Sequence, residues 1–183
     1  MTDRFVAHIT KQAIKERKAH QVYKEYLEFL SWLDSVSEEL EYIIELGVDR
    51  GGNLWAMQQI APHVSFIAVD SNIGKLYSED YKQGTVFVNE KSADAALKIK
   101  KLYVPEKTLV FIDACHHYKF AKKDSQLYAS KYQVFHDIYD DKKDNRIPKL
   151  FNEFKDKKEI IKEWGDKENH IVGIGVRLDP TYK

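Results

Sequence analysis

One short stretch, residues 41–53, constrains the fold more than any other part of the chain. Its sequence, Glu-Tyr-Ile-Ile-Glu-Leu-Gly-Val-Asp-Arg-Gly-Gly-Asn, joins an apolar run to a glycine-rich turn, and residues 54–61 follow with helical spacing. A buried parallel strand that passes through a glycine turn into a helix is typical of an open α/β sheet, which binds ligands at the carboxyl ends of its strands. We therefore expect the functional residues at the strand ends.

The glycines of this stretch predict how a ligand approaches. A residue without a Cβ tolerates positive φ and close contact, so Gly47 is expected to lie against a ligand, and Gly51 and Gly52 to form the turn. Asn53 is expected to cap the helix that follows. The spacing departs from the dinucleotide fingerprint G-x-G-x-x-G, which disfavours a pyrophosphate site and a nicotinamide-dependent enzyme. An ordinary strand-to-helix connection is the alternative.

Composition narrows the class of protein. The 183 residues, 43% of them hydrophobic, suit one globular domain. Lysine plus arginine equals aspartate plus glutamate at 29 each, so no net field attracts nucleic acid or an anionic membrane. The sequence shows neither a signal peptide pattern nor an apolar run long enough to span a bilayer, and the single Cys115 excludes an internal disulfide. We expect a cytoplasmic protein that binds neither nucleic acid nor membrane.

The remainder of the chain alternates predicted helices and strands. Residues 9–40 carry an apolar stripe that predicts one long helix, or two helices broken near Asp34 and Ser35. This segment is expected to pack ahead of the first strand, with a cover over the ligand site or a dimer contact as alternatives. Strands are predicted at residues 42–48, 64–70, 85–90, 107–113, 132–138 and 171–178, and helices at residues 92–103, 118–130 and 146–155. Residues 158–164 fit either a longer helix or a strand, which a loop at residues 165–169 would join to the last strand as an antiparallel hairpin.

Two strand ends carry candidate cofactor ligands. Asp70 ends the second strand 23 residues after Gly47, close to the ~20 residues at which an acid in this fold class binds the hydroxyls of a ribose. The alternative for Asp70 is a turn residue. Ser92 follows the third strand, where it is expected either to cap the next helix or to border an adenine ring.

The fourth and fifth strands end in acids and histidines. Asp113 and Asp137 should emerge side by side if these strands are neighbours, because adjacent strands lie about 4.8 Å apart. Two such carboxylates repel each other unless a proton or a cation lies between them. Since His116 and His136 flank the same point, the cluster predicts a metal site, with structural histidines as the alternative.

Taken together, these motifs resemble class I S-adenosylmethionine-dependent methyltransferases. The resemblance is greatest to the small O-methyltransferase group that includes the cephalosporin hydroxylase-like and macrolide-sugar methyltransferase-like proteins, and it covers residues 40–178. Its motifs are residues 45–53, Asp70, residues 111–118 with Lys123 and Asp124, residues 135–138 and residues 173–176. It implies a Rossmann-like, doubly wound, seven-stranded sheet, mostly parallel with a C-terminal antiparallel hairpin. Residues 1–40 would then be an N-terminal helical segment of the same domain, and residues 41–183 the methyltransferase domain.

The resemblance also implies roles for the cofactor-binding residues. Glu45 and Gly47 would face the methionine part of S-adenosylmethionine, Asp70 the ribose and Ser92 the adenine edge. Gly51 and Asp113 complete the expected cofactor-binding set.

For the acceptor side, the resemblance implies a metal and a base. Asp113 and Asp137 match positions that hold a divalent cation in metal-dependent relatives, and His136 is the third candidate ligand. Asp113 and His116 are the candidate catalytic residues, with His116 as general base at an ordinary pKa of ~6.5. Oxygen ligands predict Mg²⁺, Ca²⁺ or Mn²⁺, whereas a coordinating histidine favours a transition metal.

The expected function is metal-assisted O-methylation of a small hydroxylated molecule, such as a sugar or a natural product. Many relatives have Gly-Asp where this chain has Ala114-Cys115. That difference motivates an alternative, a catalytically degenerate methyltransferase-fold binding module that acts through a partner. The acceptor and the oligomeric state, including a homo-oligomer, stay open.

Overall fold

The apolar runs of the sequence pair into one mixed sheet. The computed structural model describes residues 1–76, 81–139, 146–155, 157–164 and 172–179. Its seven strands are β1 (Tyr42–Leu46), β2 (Ser65–Asp70), β3 (Val86–Asn89), β4 (Thr108–Ile112), β5 (Tyr132–Phe135), β6 (Lys158–Trp164) and β7 (Val172–Leu178). Its α-helices are α1 (Asp3–Lys15), α2 (Tyr23–Val36), α3 (Gly52–Ile60), α4 (Ser92–Ile99), α5 (Tyr118–Leu127) and α6 (Ile147–Glu153).

The order of strands across the sheet is β3-β2-β1-β4-β5-β7-β6. The first five strands are parallel, and β7 runs antiparallel to both β5 and β6. The prediction of a doubly wound, seven-stranded, mostly parallel sheet with a C-terminal antiparallel hairpin is therefore confirmed. Residues 158–164 form a strand, the second of the two alternatives, and the expected loop at residues 165–169 lies outside the described residues.

Two apolar layers cover the sheet, one on each face. Successive residues of a strand point to opposite faces, so Ile43 joins the layer that contains α1, α2 and α3, while Ile44 and Leu46 join the other layer. Glu45 lies two residues after Ile43 and therefore points toward α2 and α3. None of the helices in the described part of the chain is long and apolar enough to cross a membrane.

The N-terminal helices break at a different place from the one predicted. Helix α2 continues through Asp34 and Ser35 to Val36, because Leu33 and Val36 stay on the face that packs against the core. The break lies instead at residues 16–22, where Lys18 has a φ of 61°. The alternative of two helices is therefore correct, but the predicted position of the break, near Asp34 and Ser35, is wrong.

Both predicted helix caps are also wrong. Helix α3 starts two residues earlier than expected, so Gly51 is its N-cap and Asn53 lies within its first turn. Helix α4 starts at Ser92 itself, with Lys91 as N-cap. The side chains of Asn53 and Ser92 are therefore available for other contacts.

Candidate active site

A cleft of about 890 Å³ opens along the carboxyl ends of the parallel strands. Leu46 is in register with Val69 on one side and with Ile112 on the other, so the residues that follow these strands meet at one edge of the sheet. The volume lies within the range of small-molecule and cofactor sites. Its lining includes seven of the residues predicted from the sequence, namely Gly47, Asp70, Ser92, Asp113, His116, His136 and Asp137. Glu45 and Gly51 are not part of the lining.

The glycines of the first turn are required by close contacts within the protein. Gly47 has a φ of +88°, and a Cβ there would lie 2.5 Å from the Asp113 carbonyl oxygen. Gly51 has a φ of +80°, which is consistent with its predicted place in the turn. A Cβ on Gly52 would lie 2.4 Å from the Ala19 backbone nitrogen, so the segment between α1 and α2 packs directly on this turn.

Asp70 holds the loop that follows β1. Its Oδ2 accepts hydrogen bonds from the backbone N–H groups of Val48 at 2.9 Å and Asp49 at 3.0 Å, and its Oδ1 accepts one from Asn72 at 2.8 Å. The side chain thus joins the ends of the first two strands. Since Asp70 also lines the cleft, the ribose contact expected from the sequence stays a prediction.

Glu45 lies buried beneath the cleft. The side chain is fully buried, and neither carboxylate oxygen has a hydrogen-bond partner within the described structure. Burial raises the pKa of Glu45 well above its ordinary value, and the charges of Asp113 and Asp70 raise it further. The nearby Asn53 side chain opposes this rise, although it makes no hydrogen bond to the carboxylate. A carboxyl group in this setting is costly to ionise unless a donor approaches it.

Ser92 belongs to a second polar group at one wall of the cleft. Its hydroxyl donates a hydrogen bond to Asp124 Oδ1 at 2.6 Å, and its carbonyl oxygen accepts one from the Tyr128 hydroxyl at 2.6 Å. Asp124 Oδ2 and Glu90 Oε2 are buried and have no hydrogen-bond partner among the described residues. Because Glu90, Ser92 and Asp124 all line the cleft, this wall offers acceptor oxygens to a ligand that donates hydrogen bonds.

The acids and histidines after β4 and β5 come together as predicted. His116 Nε2 lies 3.2 Å from Asp113 Oδ1, and His116 Nδ1 lies 3.1 Å from Asp137 Oδ2. His136 Nδ1 lies 3.2 Å from Asp113 Oδ1 and 3.4 Å from Asp137 Oδ1. Donor atoms of Asp113, His116 and His136 lie within 4.8 Å of one another, which is close enough to share one metal ion. Two of the three predicted metal ligands, Asp113 and His136, therefore belong to this group, and His116 stands in it in place of Asp137.

Two further residues of this cluster come from the N-terminal segment and were missed from the sequence. Glu25 Oε1 lies 3.0 Å from His136 Nε2, and Gln21 Nε2 donates a hydrogen bond to Asp113 Oδ2 at 3.2 Å. Glu25 is completely buried. One signal was present, because Glu25 is three residues after Val22 and four before Phe29, and so occupies the apolar face of α2.

The charges of the cluster shift its pKa values strongly. Burial alone would raise the pKa of Asp113, but His136 and His116 hold it well below its ordinary value. Hydrogen bonds to Asp113 and Asp137 raise the pKa of His116 to about 9. Burial opposes protonation of His136, yet the contacts with Asp113, Glu25 and Asp137 together outweigh burial and raise the pKa of His136 well above its ordinary value. Without a bound cation His116 is therefore protonated at neutral pH, so the expectation of an ordinary pKa for His116 is wrong.

Neither a family model nor a curated protein matches this chain. Solved structures do match it. The O-methyltransferase TomG from Streptomyces achromogenes, in complex with S-adenosylmethionine, has a TM-score of 0.64 at 9% identity, over 96% of this chain and 88% of TomG. The O-methyltransferase from Bacillus cereus, in complex with S-adenosylhomocysteine, has a TM-score of 0.60 at 13% identity, over 98% of this chain and 92% of that one.

The chain has the class I methyltransferase fold. An rRNA methylase from Streptococcus thermophilus is also similar, with a TM-score of 0.62 at 8% identity, over 87% of this chain and 98% of that chain. Methyltransferases that act on different acceptors therefore share this fold. The fold that the sequence resemblance implied is confirmed, whereas the acceptor has to be inferred from the cleft itself.

Proposed function

We propose that this protein is a cytoplasmic, S-adenosylmethionine-dependent O-methyltransferase that methylates a small hydroxylated molecule with the help of a divalent cation. The observation that carries the proposal is the cleft at the strand ends. Its lining includes the wall of acceptor oxygens around Ser92, the cluster of histidines and aspartates, and the glycine turn after β1. Structures of the same fold hold S-adenosylmethionine or S-adenosylhomocysteine.

The cofactor proposal is supported by buried acceptors that lack donors. The exocyclic amine of adenine has two N–H donors, and Asp124 Oδ2 and Glu90 Oε2 are unsatisfied acceptors near Ser92. An unsatisfied buried acceptor costs about 1–3 kcal/mol, so a ligand that donates to it gains binding energy. Asp70 would accept the ribose hydroxyls, and the backbone at Gly47, which lines the cleft, would lie beside the methionine part. Glu45 would attract the positively charged amino group from beneath the cleft floor.

The acceptor proposal is supported by the cluster. Asp113, Asp137 and His136 fit a divalent cation, since His136 Nδ1 lies within 3.4 Å of an oxygen of each carboxylate and has no hydrogen-bond partner in the described structure. A cation there would supply the positive charge that lowers the pKa of an acceptor hydroxyl. His116 is the most exposed of the four side chains, at 33%, and would take the hydroxyl proton. It can do so only in its neutral form, which is favoured once its two carboxylate partners are shared with a cation.

Methyl transfer is an in-line displacement, so the chain must chiefly align the two reactants. A small acceptor is favoured by the balanced charge of the chain, which gives no general attraction for a polyanion. The ring of Phe120, which is 45% exposed and lines the cleft, offers an apolar surface to an acceptor.

Calorimetric titration with S-adenosylhomocysteine tests the cofactor proposal, and S-inosylhomocysteine is the matched ligand. The base of this ligand carries an oxygen in place of the amine. S-inosylhomocysteine should therefore bind at least about tenfold more weakly, because the acceptor oxygens of Asp124 and Glu90 would face another acceptor. Asp124→Asn should narrow this difference, since an amide can donate to that oxygen. No binding of S-adenosylhomocysteine, with or without a divalent cation, would overturn the proposal and favour the degenerate binding module.

Transfer itself is tested by measuring S-adenosylhomocysteine production with a panel of sugars and phenols. His116→Ala should bind the cofactor as tightly as the wild type but transfer the methyl group at least about a hundredfold more slowly. Equal turnover of the variant and the wild type would contradict the role of His116.

A further inference from the structure

The buried Glu25–His136 pair connects the N-terminal helices to the proposed cation site. Glu25 is completely buried, its Oε1 lies 3.0 Å from His136 Nε2, and its Oε2 has no hydrogen-bond partner in the described part of the chain. Removing a carboxylate from water costs several kcal/mol, and a buried ion pair rarely repays this cost in stability. The position of Glu25 therefore indicates a purpose other than stability.

The second nitrogen of His136 points into the cluster without a hydrogen bond. The side chain is only 9% exposed, and its Nδ1 lies 3.2 Å from Asp113 Oδ1 and 3.4 Å from Asp137 Oδ1, without the alignment of a hydrogen bond to either. Donor atoms bound to one metal ion at about 2.1 Å lie roughly 3.0–3.4 Å apart in octahedral or tetrahedral geometry. The two observed nitrogen-to-oxygen separations match these values, so Nδ1 lies as far from each carboxylate oxygen as two ligands of one ion lie from each other.

The carboxylate behind His136 completes this arrangement. Metal-binding histidines almost always donate their other ring N–H to a carboxylate, a carbonyl or a water, which fixes the tautomer and the orientation of the ring. Glu25 accepts from Nε2, so Nδ1 is the ring nitrogen that faces Asp113 and Asp137 and that a cation would take as a ligand. An imidazole ligand favours transition metals, whereas Mg²⁺ and Ca²⁺ prefer oxygen ligands throughout.

We propose that the site formed by Asp113, His136 and Asp137 binds a divalent first-row transition-metal ion in preference to Mg²⁺ or Ca²⁺, and that Glu25 is the positioning residue that presents His136 to it. This inference rests on the proposed metal-assisted function and replaces its general divalent cation with a narrower class. It also gives the N-terminal helices a part in the site, because Glu25 is the residue of α2 that reaches His136.

The test uses the untagged full chain, stripped of metal by a chelator and dialysed, with no cofactor present. Titration with Co²⁺, followed by calorimetry and by its visible absorption, should show one site, and Mg²⁺ and Ca²⁺ should bind at least about a hundredfold more weakly. Glu25→Leu removes the acceptor and should weaken Co²⁺ binding about 10- to 100-fold with a changed absorption spectrum. Glu25→Gln keeps an acceptor oxygen and should restore part of the affinity, while Glu28→Gln, an exposed charge change on the same helix, should have no effect.

Three outcomes would overturn the inference. They are Mg²⁺ binding as tight as Co²⁺ binding, an absence of Co²⁺ binding, or Glu25 variants with the affinity and spectrum of the wild type. If Glu25→Leu does not fold, the comparison of Co²⁺ affinity and absorption spectrum between Glu25→Gln and Glu28→Gln decides whether Glu25 positions His136. S-adenosylhomocysteine binding is measured separately. Its loss with intact Co²⁺ binding would contradict the proposed function, whereas its retention without Co²⁺ binding would contradict only the metal inference.

Discussion

Gly47 offers a direct measurement of how tightly the cleft floor is packed. The change to alanine has two costs, one from the backbone and one from contact. With a φ of +88°, Gly47 occupies the left-handed region, where a residue with a Cβ costs about 1–2 kcal/mol. The new Cβ would also lie 2.5 Å from the Asp113 carbonyl oxygen and 2.6 Å from the Ala114 Cα, and both are backbone atoms.

The contact term is the larger of the two. Relief of the overlap requires the end of β4 to move away, and the Asp113 N–H currently donates to the Leu46 carbonyl at 2.9 Å. Loss of that hydrogen bond costs about 1 kcal/mol, and strain from overpacking costs about 1–3 kcal/mol. We therefore expect Gly47→Ala to lower the free energy of unfolding by about 3–6 kcal/mol in total.

Gly84 provides the matched control. It has a φ of +87°, and a Cβ there would have no atom within 4 Å. Gly84→Ala therefore carries the backbone cost without the contact cost, and the change in unfolded-state entropy is the same for both variants. Urea unfolding, followed by tryptophan fluorescence, should place Gly47→Ala at least about 2 kcal/mol below Gly84→Ala. Equal midpoints with equal slopes would refute the reasoning, because they would mean that the end of β4 moves freely.

Three further predictions concern charge. Glu45→Gln should leave the stability of the ligand-free chain unchanged or raise it by about 1 kcal/mol near neutral pH. The pKa of Glu45 is raised in the folded chain, so at any pH above the ordinary pKa of a glutamate this buried carboxyl group lowers stability. A clear loss of stability in urea unfolding would contradict this prediction. Because the pKa of His116 is raised to about 9, the protonated side chain should stabilise the metal-free chain. This stabilisation should be complete below about pH 6.5 and should be lost as the pH rises through about 9. The contribution is at most about 3 kcal/mol and is reduced by solvent exposure, so the stability difference between wild type and His116→Gln should shrink over that range in thermal melts; a constant difference would count against it. Asp70→Asn should weaken S-adenosylhomocysteine binding by at least about tenfold in calorimetry, because one of the two oxygens that would accept the ribose hydroxyls becomes a donor. Unchanged affinity would mean that Asp70 serves only as a turn residue.

Much of the fold and of the cleft could be predicted because both depend on local pattern. Alternation of short apolar runs with helical segments indicates a parallel sheet, and the carboxyl ends of parallel strands necessarily meet at one edge. Asp70 and Asp113 could therefore be assigned to the same edge as Gly47 from their positions after apolar runs alone. The glycines were correctly identified as special positions, although their closest neighbours proved to be protein atoms.

What the sequence could not determine is which distant residues complete the cluster. Glu25 contacts a residue 111 positions away, and Gln21 contacts one 92 positions away. Both contacts depend on where α1 ends and α2 begins, and at that break Ala19 packs on Gly52, which is 33 positions further along the chain.

The electrostatic state of the site was equally a matter of tertiary structure. A histidine in a sequence carries only its ordinary pKa, whereas the charge of His116 follows from two carboxylates brought within about 3.2 Å by separate strands. The sequence by itself determined the sheet, its ligand-binding edge and the types of residue at that edge. Tertiary structure alone decided their partners and their protonation, because Coulomb energy and hydrogen bonding depend on distances in space that no local pattern specifies.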